Sequence, residues 1–302
     1  LGIVGESGSG KSVIGQTILR IVPSPGKIVN GKILFQAGGK EIADQQTLDL
    51  TTIDPKGSLA RSIRGSDISM IFQEPMNSFS PVHTIGSQIM EALLLHSDFS
   101  KAEARNQAIE MLSRVGIPQP ENRIDAYPHQ LSGGMRQRAM IAMALICNPR
   151  VLIADEPTTA LDVTVQAQIL DLLKELQEEF GMAILFISHN LGVISDISDD
   201  VLVVYFGRVM EQAPVADIFE NPLHPYTQAL LRSVPGIDTP VGTELATIEG
   251  TLPDPLAYIS GCPFFGRCTE CGGNAVCRDT PYELTKVAQR HFVACPRMCI
   301  KL

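Results

Sequence analysis

No apolar run in this 302-residue chain reaches the roughly 18–20 residues that a membrane-spanning helix requires. Nothing at the start has the charged and apolar regions of a signal peptide. Basic residues are few: 24 Lys and Arg stand against 33 Asp and Glu, a formal net charge of −9. That balance argues against a general nucleic-acid binder, which would neutralise many phosphates, and leaves room only for a local basic patch. Charged residues make up 19 % of the chain and hydrophobic ones 44 %, which suits a folded core and gives no sign of extended disorder. The length fits one large or two modest domains. The composition reads as a soluble, cytosolic chain able to dock on a membrane partner. It opens on Leu1 rather than Met, already inside an apolar strand. A domain built around that strand would have sequence before it, so we expect further N-terminal strands upstream.

What is present begins with that strand. It leads into Gly5, Glu6, Ser7, Gly8, Ser9, Gly10, Lys11 and Ser12, and residues 13–20 continue with helical apolar spacing. Strand, glycine-rich turn and helix together are the context of a phosphate-binding loop. The glycines let the backbone bend so that successive N–H groups face one phosphate chain, and the helix start adds its positive dipole end. Lys11 would reach the β- and γ-phosphates, and the Ser12 hydroxyl would ligate Mg²⁺. The flanks favour this reading over an ordinary Gly/Ser turn.

Further along, residues 27–36 read as a strand interrupted by the Asn30-Gly31 turn signal. Residues 68–72 form a short apolar strand that ends at Gln73, before Pro75. Residues 76–148 change character, with helical spacing over 85–95, 101–115 and 135–147. Continuous apolar runs at 150–156, 182–188 and 201–207 read as strands covered on both faces, with an amphipathic helix over 163–180 between the first two. The pattern predicts an α/β fold: a RecA-like, mostly parallel sheet of the P-loop NTPase type over 1–75 and 149–212, with a helical insertion over 76–148. After 212 the composition shifts. Six of the seven cysteines fall between 262 and 299, so residues 213–302 read as a separate Cys-rich extension with its own means of stabilisation.

Several residues would gather at the carboxyl edge of such a sheet, where open α/β sheets bind ligands. Asp155 ends the run 150–155 and would hold Mg²⁺ through water. Glu156 is placed to polarise an attacking water; the plainer alternative is an acidic pair that merely starts a loop. Gln73 ends a strand on the same edge and would reach Mg²⁺ or that water. His189 follows another strand and would donate a hydrogen bond as charge develops, though a histidine after a strand is more often a surface or satisfied core residue. Residues 131–138, Leu-Ser-Gly-Gly-Met-Arg-Gln-Arg, open a helix with Ser132 as cap and with Gly133 and Gly134 allowing close approach. A second helix start of this kind suits a nucleotide held by another chain, and is otherwise a simple cap.

These motifs, in this order, resemble the ATPase subunits of ABC transporters: the phosphate loop, Gln73, the stretch 131–138, Val-Leu-Ile-Ala-Asp-Glu-Pro at 151–157, Ala160-Leu161-Asp162 and Ile187-Ser188-His189. The resemblance runs through essentially the whole chain. It implies ATP and Mg²⁺ as ligands, Glu156 as catalytic base, His189 as switch histidine, Gln73 in the Q-loop and residues 132–134 as signature. It places Asp162 at a dimer interface where two ATPs are sandwiched. It further implies an aromatic residue upstream of the phosphate loop that stacks on adenine. A narrower resemblance to the dipeptide/oligopeptide permease branch rests on residues 71–76, 127–130, 158–168, 224–227 and 262–268, with Asn77 and Asn190 departing slightly from the commonest wording. It implies a D-type subunit working with an F-type paralogue or with itself. The remaining partners would be two transmembrane permease subunits and, indirectly, an external solute-binding protein, at the cytoplasmic face of the bacterial inner membrane. The different-class alternatives are a soluble ABC-type ATPase acting on nucleic acid or ribosomes and a small-molecule kinase, in which the stretch 131–138 would have no task.

The cysteines then admit several readings. A cytosolic setting disfavours disulfides, so metal ligation is the first expectation. Cys262, Cys268, Cys277 and Cys295 resemble the four-cysteine pattern of the peptide-permease tail, where some members hold a four-iron cluster. Cys268 with Cys271 and Cys295 with Cys299 offer a zinc-type pairing instead. Cys271 would be a substitute ligand, unligated thiols are the third possibility, and Cys147 reads as a core residue.

Overall fold

The structure, a computed structural model, describes residues 1–36, 47–73, 78–159, 161–234, 247–254, 256–281 and 283–299. Residues 74–77 and Ala160, which belong to motifs quoted above, lie outside that set, as does the side chain of Cys299. In chain order the strands are β1 Gly2–Val4, β2 Leu34–Gln36, β3 Thr47–Asp49, β4 Ile68–Ile71, β5 Val151–Asp155, β6 Ala183–Ser188, β7 Asp200–Tyr205, β8 Arg208–Pro214, β9 Thr285–Ala288 and β10 His291–Val293. The main helices are α1 Lys11–Ile18, α2 Ile85–His96, α3 Lys101–Arg114, α4 Gly133–Leu145, α5 Val163–Phe180, α6 Leu191–Ile197 and α7 Pro225–Arg232. Two compact units form, residues 12–185 and residues 1–11 with 186–302, and β6 contributes residues to both.

In the unit of residues 12–185, β4 and β5 run parallel, with Ile68 opposite Val151 and Ile71 opposite Ala154. All four residues of β4 and the last four of β5 are buried, which is why these segments read as continuous apolar runs. β2 and β3 form an antiparallel pair. The expected strand over 27–36 shrinks to β2, because Val29 is 85 % exposed and the backbone turns at Gly31 with φ +105°. The helices start at strong caps. Ser100 and Glu103 form a reciprocal capping box at α3, Ser132 accepts from Met135 N–H at α4, and Asp162 accepts from Val165 N–H at α5. Gly181 closes α5 in the left-handed conformation that suits glycine. Ile169, Leu170, Leu172, Leu173 and Leu176 bury one stripe of α5.

In the other unit, β1 lies between β6 and β7, parallel to both: Ile3 faces Ile187 on one side and Leu202 on the other. β7 turns through Phe206 and Gly207, both at positive φ, into antiparallel β8, as a tight hairpin requires. β8 then pairs with β10, and β10 with β9. The extension expected after 212 meets this sheet. Two of its strands prolong the sheet that holds β1, satisfying backbone groups that β8 would otherwise leave as an edge. A buried polar link reinforces the joint. Glu211, fully buried, meets His291 Nε2 at 2.7 Å and accepts N–H groups from Leu223 and His224 at 2.8 and 2.9 Å. Tyr205, Tyr226 and Phe264 pack edge-on and tilted, with centroids 4.7–5.3 Å apart.

The tightest approach in the helical region lies at Gly86, the second residue of α2. A Cβ there would sit 2.1 Å from Ile124 Cγ1 and 2.7 Å from the Ile124 carbonyl oxygen. Gly86→Ala therefore lowers the unfolding free energy by about 1–3 kcal/mol, measured as a drop in urea midpoint at unchanged slope; an unmoved midpoint would contradict the packing described.

Candidate nucleotide site

Two groups of predicted site residues are brought together, one in each unit. In the unit of residues 12–185, Ser12 Oγ donates to Asp155 Oδ1 at 3.0 Å. Asp155 is 3 % exposed at the last position of β5, so its carboxylate is fixed by strand pairing on one side and by this hydroxyl on the other. Glu156 follows with φ 47°, a left-handed backbone that costs a glutamate energy and that surrounding structure must hold. Its Oε2 accepts from Gln73 Nε2 at 3.1 Å and from Thr159 Oγ1 at 3.0 Å. The short turn Thr159 N–H to Glu156 carbonyl, 3.2 Å, brings Thr159 round. Sequence reasoning missed Thr159: it lies three residues past the glutamate, within the quoted stretch 158–168, but a threonine after a strand carries no signal of its own.

Residues 132–134 and Asp162 belong to this unit as well, apart from that cluster by hydrogen bonding. Ser132, Gly133 and Asp162 are exposed. Their polar groups serve as caps, Ser132 to Met135 N–H at 3.3 Å and Asp162 to Val165 N–H at 2.9 Å. Gly134 sits where a Cβ would come 3.1 Å from Val165 Cγ1, which explains a small residue at that position.

The other unit carries residues 5–11 and His189. A Cβ on Gly5 would lie 2.1 Å from the carbonyl oxygen of Val204, so only glycine lets the loop leave β1 against β7. Gly8 and Gly10 have φ +81° and +96°, the conformation that turns the loop back on itself. Gly207 N–H donates to Ser9 carbonyl at 2.7 Å. Lys11 is 5 % exposed and its Nζ donates to the carbonyls of Gly5 and Glu6 at 2.8 and 3.0 Å. Glu6 does not extend from the loop: its carboxylate pairs with Arg267 at 2.7 Å. Ser7 is exposed, and His189 is exposed directly after β6. Asn190 beside it caps α6 through Gly192 N–H at 2.9 Å.

The donors at Ser12 and Asp155 are hard oxygens, which suit Mg²⁺. The cysteines offer no comparable support for a metal. Among the described residues no three His, Cys, Asp or Glu side chains converge on a point that would hold one, so the iron–sulfur or zinc expectation for Cys262, Cys268, Cys277 and Cys295 is not supported. Burial pushes the Cys262 thiol up to about 12 and the Cys268 thiol up to about 11, and raises Cys277. Cys271 Sγ instead lies against the carbonyls of Cys268 and Phe265 at 3.3 and 3.6 Å. Cys147, expected as a core residue, is half-buried, and burial pushes its thiol up to about 11.

With this geometry in place, comparison with known proteins decides the family. The model of the ABC transporter family matches residues 1–159, more than half of the chain. The chain belongs to the ABC transporter family. A second model, the oligopeptide/dipeptide transporter C-terminal region, matches residues 210–275 of this ABC protein. It is 51 % identical over 267 residues to the dipeptide transport ATP-binding protein DppD of Bacillus subtilis, covering 88 % of this chain and 76 % of that one. It is 48 % identical over 281 residues to the oligopeptide transport ATP-binding protein OppD of Salmonella typhimurium, covering 93 % and 79 %. Among solved structures it is similar to a dimeric ATP-binding cassette in a post-hydrolysis state bound to ADP and phosphate, with TM-score 0.59 at 28 % identity over 71 % of this chain and 84 % of that one.

The same geometry fixes one acid response of this ABC chain. His224 is 1 % exposed, and its Nδ1 accepts from Tyr226 N–H at 3.0 Å as the cap of α7. Burial lowers its pKa from 6.5 to about 3. The unfolded chain therefore takes up a proton that the folded chain refuses, so this contribution to stability is complete above pH 6.5 and is lost as pH falls toward 3. Urea unfolding of His224→Asn, which keeps a capping acceptor, should show a smaller loss of stability between neutral and acid pH than the parent; equal losses would contradict the assignment.

Proposed function

We propose that this chain is the ATP-hydrolysing subunit of a peptide importer, and that the group around Asp155 is its hydrolytic centre. The observation that carries this reading is the contact of Ser12 Oγ with Asp155 Oδ1 at 3.0 Å, immediately followed by Glu156 in a left-handed backbone and held by Gln73 and Thr159. Ser12 and Asp155 would hold Mg²⁺, with the Gln73 amide oxygen as a third donor. When bound, Mg²⁺ neutralises phosphate charge and aligns the terminal phosphoryl group. The N–H groups of residues 8–12 cradle the phosphates of ATP. Lys11, which now donates to the carbonyls of Gly5 and Glu6, turns its ammonium to the phosphate oxygens. Glu156 accepts a hydrogen bond from the attacking water and orients it. Gln73, bonded to the same carboxylate, can release or restrain it. His189 donates to the charge that develops on the transferring phosphoryl group.

The exposed Ser132 and Gly133, with Gly134, are assigned to a nucleotide held by a second ATPase subunit, with Asp162 beside that interface. The dimeric state of the similar cassette supports this arrangement. The second subunit is an F-type paralogue or another copy, this chain being the D-type. The names of the Bacillus and Salmonella relatives support di- and oligopeptides as the imported solute. Residues 1–75 and 149–212 then act as the nucleotide-binding core. Residues 76–148 form the helical subdomain that meets two permease subunits at the cytoplasmic face of the membrane, which are loaded from outside by a solute-binding protein.

Glu156→Gln keeps the shape and removes the charge that polarises water. ATP binding should persist while turnover falls by about 10²–10⁴-fold, measured by phosphate release at saturating ATP; turnover at the parent rate would remove Glu156 from this role.

A further inference from the structure

Glu6, the only acidic residue between Gly5 and Ser12, is held at three points. Its N–H donates to Tyr226 Oη at 2.9 Å. Its carbonyl accepts from Lys11 Nζ at 3.0 Å and from Ser9 N–H at 3.1 Å. Its carboxylate takes both arms of the Arg267 guanidinium, at 2.7 and 3.0 Å. Two of these anchors, Tyr226 and Arg267, lie more than two hundred residues along the chain, in the segment that resembles the oligopeptide/dipeptide transporter C-terminal region.

Both anchors are themselves locked. The Arg267 side chain is 7 % exposed. Its remaining donors reach the carbonyls of Ile248 and Glu249 at 2.9 and 2.8 Å and the Tyr205 hydroxyl at 3.4 Å. The guanidinium also lies 5.8 Å from the Tyr205 ring centroid. Tyr226 is fully buried and packed edge-on against Tyr205. The hydrogen bonds to Glu6 raise the pKa of Arg267 further, so it stays ionised at every accessible pH. A planar fork with its donors fully committed is the geometry for which arginine exceeds lysine.

We propose that Arg267 and Tyr226 are positioning residues for nucleotide binding: they clamp Glu6 so that the phosphate loop keeps its binding shape before ATP arrives, and Arg267 cancels the loop's own negative charge. This rests on the reading of residues 5–12 as the ATP site. Two physical effects run in the same direction. A loop that turns through Gly8 and Gly10 has wide freedom, and the apparent affinity falls in proportion to the fraction of molecules holding the competent shape. A carboxylate left unpaired beside a triphosphate also repels it. The oligopeptide-type tail thereby has a task at the nucleotide, beyond closing the sheet.

The test uses the full chain with Mg·ATP, combining equilibrium titration with steady-state hydrolysis. Arg267→Ala should raise Kd and KM for ATP about tenfold. Tyr226→Phe, which removes only the hydroxyl acceptor, should raise them about threefold. In both, kcat per folded molecule stays near the parent value. Arg267→Lys should recover part of the loss, and the pair Glu6→Gln with Arg267→Ala should bind better than Arg267→Ala alone because the unpaired charge is gone. Parent-like Kd in both single variants overturns the proposal, as does a fall in kcat at unchanged KM, which a mere loss of folded protein would give. If Arg267→Ala does not fold, Tyr226→Phe decides by the same two readouts. A parent chain that fails to bind Mg·ATP refutes the nucleotide reading itself, an outcome distinct from the variants matching the parent.

Discussion

The constraint on which the loop of residues 5–12 depends is a steric one at the end of β1. The backbone at Gly5 passes so close to the Val204 carbonyl that a Cβ would stand 2.1 Å from it. No side chain fits there, and none is needed: the close approach seats the loop directly on β7, with Gly207 N–H closing on the Ser9 carbonyl at 2.7 Å. β1 itself is three residues long and has no room to adjust, because Ile3 and Val4 are fully buried between parallel neighbours. Short buried strands of this kind act as fixed posts. What they hold can be a strained turn, since the energy of an unfavourable backbone is offset by the packing around it.

The group around Asp155 follows the same logic from a different strand. β5 carries Asp155 to a buried end, and the chain must then turn at Glu156 in a conformation that few glutamates adopt. Three side chains, Ser12, Gln73 and Thr159, satisfy the two carboxylates. Buried carboxylates without such partners would be expensive. Their hydrogen bonds therefore define the shape of the centre as much as its chemistry.

Local signals were enough for most of this. The helices over 101–114 and 163–180 were legible from their apolar period, and the structure adds the caps Ser100 with Glu103 at one and Asp162 with Gly181 at the other. The parallel strands were legible because burial on both faces leaves an unbroken apolar run. The loop of residues 5–12, Asp155, Glu156 and Gln73 stand out in the sequence because each sits at a strand end and belongs to a motif. What was not legible depends on distant partners. β9 carries alternating exposed residues and β10 is three residues long, and their pairing with each other and with β8 makes them strands. The cysteine spacing suggested a metal, yet the described side chains do not converge on one. Arg267 and Tyr226 lie within the quoted stretches 262–268 and 224–227, but nothing in those stretches points to Glu6. Their contacts with Glu6 join ends of the chain that only the folded sheet brings together.

The measurement that bears most directly on the whole account is a structure of the full chain with Mg²⁺ and a non-hydrolysable ATP analogue. The account predicts the triphosphate wrapped by the N–H groups of residues 8–12, the ion on Ser12 Oγ and the Asp155 side, and Glu6 still paired with Arg267. An analogue seated elsewhere, or a Glu6 carboxylate turned away from Arg267 onto the ligand or its ion, would contradict it.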